Sequence, residues 1–478
     1  MKQLIRHLPE IVVVETNPFL HCKLGRESIA PILTDVVSTY GQTGTVIALD
    51  GDWGSGKTTF VRMWTQYLKN NGFAALYFNA WECDFVDDPL VALLGELKEL
   101  HADDSNYKKV ASVGAKVLAA GAWEAGKSVL KKFTGLDSER IIDKASDVLE
   151  GEFSKALDQY AESKATLSEF KKALQEFIAF NVSDIEHPVV FIVDELDRCC
   201  PTFAVKTLER IKHLFDIPNL VFVIATNKEQ LQYAIQGYYG SPNLDGNAYL
   251  RRFIDQEYSL PNPETEAFCK YLFDQYGFSD FFDSPERKKY RFNESESELF
   301  LSLMAKTIGK SSLSLRSVDK IINHCRLALK GFANNQYVHP DLFVTLCYMR
   351  LVYPEVYSKI RNNQLTIQEL LDVLELQVFK EILTSQEDKY HTTSKRQVAY
   401  TIGKMLSSYN VNENGIEKFD DFKPQKNQDG KNVFPVKVNT LENEMIQDAL
   451  NCYSNRFHEL APIDHLIKRI DITQSIQH

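Results

Sequence analysis

The chain has no CxxC pair and no Cys/His spacing of the kind a zinc site needs; its eight cysteines, Cys22, Cys83, Cys199, Cys200, Cys269, Cys325, Cys347 and Cys452, are scattered. Free thiols in a reducing, cytoplasmic compartment are the expectation. An excess of positive charge is also missing. The formal net charge of -11 argues against nucleic acid as the main partner, although a local basic groove fits within an acidic protein. Residues Met1 to Glu10 mix charges with apolar side chains and hold no uninterrupted apolar core of signal-peptide length, so secretion is not expected. No membrane span is expected either. Val110 to Leu130 is rich in Ala, Gly and Val, but Lys116, Glu124 and Lys127 interrupt it, short of the roughly 20 apolar residues a spanning helix needs. It reads as an amphipathic or inter-helical packing segment, while its small residues would also suit close packing in lipid. No internal repeat occurs, and the C-terminal half carries no nuclease, deaminase or protease signature.

What is present is an ordinary globular composition, 44% hydrophobic and 25% charged over 478 residues, which excludes wholesale disorder and is long enough for two or three domains. Thr45 to Leu49 is an apolar run ending in a glycine-rich turn, and from Thr58 apolar residues Phe60, Trp64, Tyr67 and Leu68 recur at helical spacing. Gly72 stops that helix and Ala74 to Phe78 reads as a second strand, giving a parallel βαβ unit by the crossover rule. Val189 to Val193 and Val221 to Ala225 are continuous apolar runs of the type covered by helices on both faces. Between them, Ala204, Leu208, Ile211 and Phe215 make a helical stripe that core packing explains. The Lys/Glu/Ala-rich text from Leu93 to about Phe180 exceeds what a crossover needs and reads as a helical insertion. After Pro261 and Pro263, helical patterns such as Leu315 to Leu329 and Leu342 to Ile360 take over.

GDWGSGKT, Gly51 to Thr58, matches GxxxxGK(S/T) between a predicted strand and a predicted helix. Gly51, Gly54 and Gly56, with Asp52 and Ser55 between them, let the backbone N–H groups wrap around phosphate oxygens at a helix N-terminus that also takes in Thr59. Lys57 is expected to reach the terminal phosphates of ATP, and the Thr58 hydroxyl to ligate Mg2+. Trp53 either covers the nucleotide or packs against the fold. FIVDELDR, Phe191 to Arg198, is an apolar strand ending in two acids. Asp194 is placed to hold Mg2+, through water, and Glu195 to polarise the attacking water as a general base. The bland alternative is that both merely cap the next helix. Asp197 and Arg198 form either a local ion pair or a solvated one.

The strand at Val221 to Ala225 ends at Thr226 and Asn227, where Asn227 can meet the γ-phosphate or the lytic water. TNKEQ resembles the guanine-reading NKxD, but Gln230 stands where that motif needs Asp and no DxxG follows Asp194, so adenine is expected. Two arginine sites can reach a nucleotide, Arg251-Arg252 after the helix that follows the last core run, and Arg316 from a lid; each can equally be a surface arginine.

At this point the chain resembles the KAP family of P-loop NTPases. LGRES at Leu24 to Ser28, FNAWECDFVDDPL at Phe78 to Leu90, DELDRC at Asp194 to Cys199, NKEQLQYAI, YLRRFIDQEYSLP at Tyr249 to Pro261, LRSVDKIIN at Leu315 to Asn323 and MRLVYPEVYSKIR at Met349 to Arg361 fall in family order. The chain departs from the family at Asn227, where Asp is usual, and at Arg251-Arg252, where Glu-Lys is common. The resemblance implies an α/β P-loop NTPase of the additional-strand, catalytic-glutamate type, with a parallel five-stranded core, a helical insertion and a helical C-terminal domain. Together with the run of strand and helix patterns, it divides the chain into a core at 1–92 and 181–262, the insertion at 93–180, a helical lid at 263–335 and a mainly helical domain at 336–478. The resemblance further implies an ATPase switch or motor acting beside separate effector proteins in antiphage defence, and the full ATPase site with its large helical insert points to a homo-oligomer. The alternative is a nucleic-acid-stimulated translocase or sensor, and a small-molecule phosphotransferase is disfavoured by Glu195.

Overall fold

The computed structural model describes residues 12–100, 105–119, 146–182, 187–214, 216–261, 265–290, 296–309, 311, 313–385, 390–454 and 460–471. Two compact units emerge, one of Ile11–Asn262 and one built on Pro263–His478. The first holds β1 (Thr45–Asp50), β2 (Ala75–Asn79), β3 (Val189–Asp194), β4 (Leu220–Thr226) and β5 (Gln256–Ser259) in one five-stranded sheet of order β2-β3-β4-β1-β5. Every pairing is parallel. β4 lies between β1 and β3, which is the additional strand separating the phosphate-loop strand from the acid-bearing strand. The register sets Asp50 against Thr226, Asp194 against Ala225 and Asn79 against Asp194, so four strands end level on one edge of the sheet.

Because side chains alternate along a strand, the continuous apolar runs feed two cores. Val189, Phe191 and Val193 of β3 join one core, and Val190 and Ile192 join the other. The second core is covered by α1 (Ile29–Tyr40) and α2 (Lys57–Asn70), which brings in Leu33, Val37, Phe60 and Trp64. The first is covered by α3 (Pro89–Leu97), α4 (Ser105–Ala119), α5 (Ser146–Asn181), α6 (Pro201–Lys212) and α7 (Lys228–Tyr239), with the short α8 (Gly246–Leu250) contributing Leu250. The inserted helices are therefore part of the sheet's packing. Val110, Val113 and Val117 of α4 and Phe170, Leu174 and Phe177 of α5 are buried in the same core as the strands. Gly114 sits where the helices close on one another; a Cβ there would lie 2.6 Å from Leu94 Cδ1 and 3.3 Å from Phe170 Cε2. Among the described residues no helix is long and apolar enough to cross a membrane. The 120–130 portion of the Val110 to Leu130 stretch lies outside them, as does Phe215 of the α6 stripe.

The second unit is mainly helical. Its central helix, Pro340–Val352, buries Leu342, Phe343, Val344, Leu346 and Cys347 and packs against the helices Glu296–Thr307, Leu315–Ala328 and Ile463–Asp471. The apolar pattern running from Leu342 to Ile360 is divided into Pro340–Val352 and Pro354–Arg361, because Pro354 has no N–H to continue the first helix. The turn-rich stretch after Asn412 contains a two-stranded antiparallel ribbon, Gln425–Lys426 with Asn432–Val433.

Candidate functional site

β1 is buried along most of its length and delivers the glycine-rich loop to the level edge of the sheet. Gly54 and Gly56 take φ of 76° and 85°, the left-handed region in which a Cβ is strained, and the loop thereby turns into α2 at Lys57. Lys57 is buried, and its ammonium donates to the Gly51 carbonyl at 2.8 Å, closing the loop on itself. Burial holds its pKa below the usual lysine value, opposed by Asp197, Asp194 and Asp50. The buried Ser55 hydroxyl has no protein partner among the described residues. A buried hydroxyl left in that state fits a loop shaped for a polar ligand. From outside, Arg26 donates to the Ser55 carbonyl at 2.8 Å and to the Pro261 carbonyl at 2.7 Å, tying the loop to the chain leaving β5. Burial lowers its pKa to about 10.

β3 ends in Asp194, which is fully buried and accepts from the Tyr77 hydroxyl of β2 at 3.0 Å and from the Glu195 amide at 2.9 Å. Burial pushes its carboxyl up to about 6, with a hydrogen bond from Thr58 opposing the shift. Glu195 adopts φ 59°, an αL conformation that costs a non-glycine residue on the order of 1–3 kcal/mol. Its carboxylate Oε1 accepts from the Thr58 hydroxyl at 3.3 Å and pairs with Arg198 at 2.8 Å. Neither acid caps the helix that follows: Glu195 makes no side-chain cap, and α6 begins at Pro201 with Cys200 as its N-cap. The ion pair expected between Asp197 and Arg198 is replaced by a different arrangement. Arg198 turns back to Glu195, while Asp197 accepts from the Trp53 indole and, at 3.2 Å, from the Thr226 hydroxyl. Trp53, 44% exposed, is thus held to the acidic turn, and Asp197 joins it onward to Thr226 at the end of β4.

Asn227 follows β4 and caps α7 by accepting from Gln230 N at 2.9 Å; its amide donates to Asp52 of the loop at 3.3 Å. Thr59 lies half-buried in the first turn of α2. Gly51 through Thr59, Asp194, Glu195 and Asn227 therefore gather at one edge. Arg251 and Arg252 are exposed in the turn after α8. Arg316 is exposed in the first turn of the helix Leu315–Ala328, in the second unit. Tyr77, Arg26 and the Arg198–Glu195 pair touch the site without having been singled out from the sequence. Tyr77 gives no signal until the strand order places β2 beside β3, and Arg26 is visible only as a letter of LGRES.

A family model described as KAP family P-loop domain matches residues 26–329. Over 251 residues the chain is 20% identical to the Phage T7 exclusion protein of Escherichia coli (strain K12); the alignment takes in 47% of this chain and only 31% of that relative. The solved structure of the Aeropyrum pernix ORC2 protein in ADPNP-ADP complexes is similar at 14% identity over 95% of each chain, with a TM-score of 0.30.

Proposed function

The chain belongs to the KAP family of P-loop NTPases, and from that premise we propose that it binds ATP with Mg2+ and hydrolyses it, as a cytoplasmic switch or motor subunit of antiphage defence. In this reading Lys57 and the backbone of Gly51 to Thr59 bind the phosphates, and Thr58 and Asp194, the latter through water, would hold Mg2+, which would supply positive charge to the phosphates. Glu195 takes a proton from water as its oxygen bonds to the γ-phosphorus and the bond to the β,γ-bridging oxygen breaks, leaving ADP and phosphate. Asn227 orients the water, and Arg252 or Arg316 supplies positive charge to a bound nucleotide in an oligomer.

The observation that carries this reading is the 3.3 Å contact between Thr58 and Glu195, which brings the start of α2 and the end of β3 together as the chemistry requires. The name of the phage exclusion relative supports a defence role, exercised through separate effector subunits. Steady-state ATP hydrolysis by the purified chain tests it: turnover that depends on Glu195 is expected, and turnover indifferent to Glu195→Gln contradicts it.

A further inference from the structure

Glu195 Oε1 is occupied twice. It accepts from the Thr58 hydroxyl at 3.3 Å and receives the Arg198 guanidinium at 2.8 Å, three residues on in the same 3-10 turn. Both partners are largely shielded, with side chains 11% and 25% exposed for Glu195 and Arg198. The guanidinium also lies over Trp81, its carbon 5.8 Å from the ring centroid, within cation–π range. Trp81 belongs to a short 3-10 turn after β2 and is 51% exposed.

The two contacts on Oε1 differ in what nucleotide loading does to them. The Thr58 hydroxyl has a single proton to donate, and Asp194, already its hydrogen-bond partner, competes with Glu195 for it. The Thr58 contact is therefore exchangeable when nucleotide loads. Loading leaves the arginine in place, because Arg198 is fixed by its own turn and by Trp81. A base whose acceptor oxygen is engaged by a permanent cation meets water less readily than a free one.

We infer that Arg198, backed by Trp81, is a positioning residue that restrains Glu195 after nucleotide has bound and sets the basal rate of hydrolysis. The inference rests on the hydrolytic reading of the site. Release requires only that the guanidinium rotate away from Glu195, and the exposed indole is the part of the restraint that reaches the surface.

The test is steady-state hydrolysis with ATP binding measured alongside on Arg198→Met, Arg198→Lys, Trp81→Ala, Trp81→Phe, Glu195→Gln and Arg198→Met/Glu195→Gln. Loss of a part-exposed pair predicts a kcat about two- to fivefold higher for Arg198→Met at unchanged KM. Arg198→Lys should lie between that variant and the native chain, Trp81→Ala should rise less, and Trp81→Phe should restore most of the restraint. The double variant should be as slow as Glu195→Gln, because the gain passes through Glu195. A fall or no change in kcat for Arg198→Met, with native turnover still dependent on Glu195, overturns the restraint alone. Turnover that survives Glu195→Gln, or no turnover in any variant that binds ATP, overturns the hydrolytic reading and the restraint together. If Arg198→Met does not fold, Trp81→Ala decides, and a kcat no higher than the native value in that variant overturns the inference.

Discussion

At the scale of single residues, the site combines a buried cation, a buried acid and a strained acid. Lys57 has left water and its ammonium is satisfied by a loop carbonyl, so phosphate oxygens can replace that carbonyl with little further desolvation. Lys57→Ala should weaken ATP binding by roughly ten- to a hundredfold, the worth of a charge-assisted contact, as measured by titration calorimetry. Retained affinity would mean the lysine is structural. Asp194 carries the pH dependence. Its carboxyl, raised to about 6 by burial, must ionise to take a cation, so Mg2+-dependent affinity should fall by up to about tenfold per pH unit below 6. Affinity that is flat between pH 7.5 and 5 would contradict the assignment. These residues were legible because the loop and acid motifs carry their chemistry in their spacing. The partners of Asp197 and Arg198 were not, because a side chain one position along a tight turn points elsewhere, and only the αL backbone at Glu195 decides where.

At the scale of elements, the strands were readable as apolar runs, since a strand covered on both faces needs no polar side. The inserted helices were readable as helices, but not as part of the sheet's core. Their apolar stripes have no addressee in the sequence, and only the finished sheet shows that Phe170 and Val113 pack with its strands. Phe170 is fully buried, so Phe170→Ala should cost about 3–5 kcal/mol of unfolding free energy in the unit that holds the site, measurable by urea denaturation. A cost near zero would mean that α5 packs independently of the core. The break between Pro340–Val352 and Pro354–Arg361 has a local cause in Pro354, which the apolar periodicity alone runs across.

For the whole molecule, buried titratable groups give stability two opposing pH trends. His324 and His339 are each lowered to about 4, chiefly by burial, with Arg350 beside the first and Lys404 near the second. Stability from such neutral histidines is complete above their unfolded value near 6.5 and is lost as pH falls toward 4. Asp194 acts in the opposite sense, giving stability below its ordinary range that is lost as pH rises through about 6. Both histidines lie in the Pro263–His478 unit and Asp194 in the other, so the melting temperature of the histidine-bearing unit should drop between pH 7 and 5, and a His324→Gln/His339→Gln protein should lose much of that slope. An unchanged slope would mean that the two histidines do not set the pH dependence of stability. Assembly is a separate expectation: if the chain works as an oligomeric switch, Glu195→Gln with ATP and Mg2+ should scatter light as a larger particle than the nucleotide-free protein. A constant monomer mass in every nucleotide state would contradict that role. Hydrolysis at Glu195 is decided by the ATPase rate of the purified chain beside Glu195→Gln, with ATP binding measured on both. Equal binding, and turnover slower by about 10²- to 10⁴-fold in the variant, are expected. Equal turnover in the two proteins would contradict hydrolysis at Glu195.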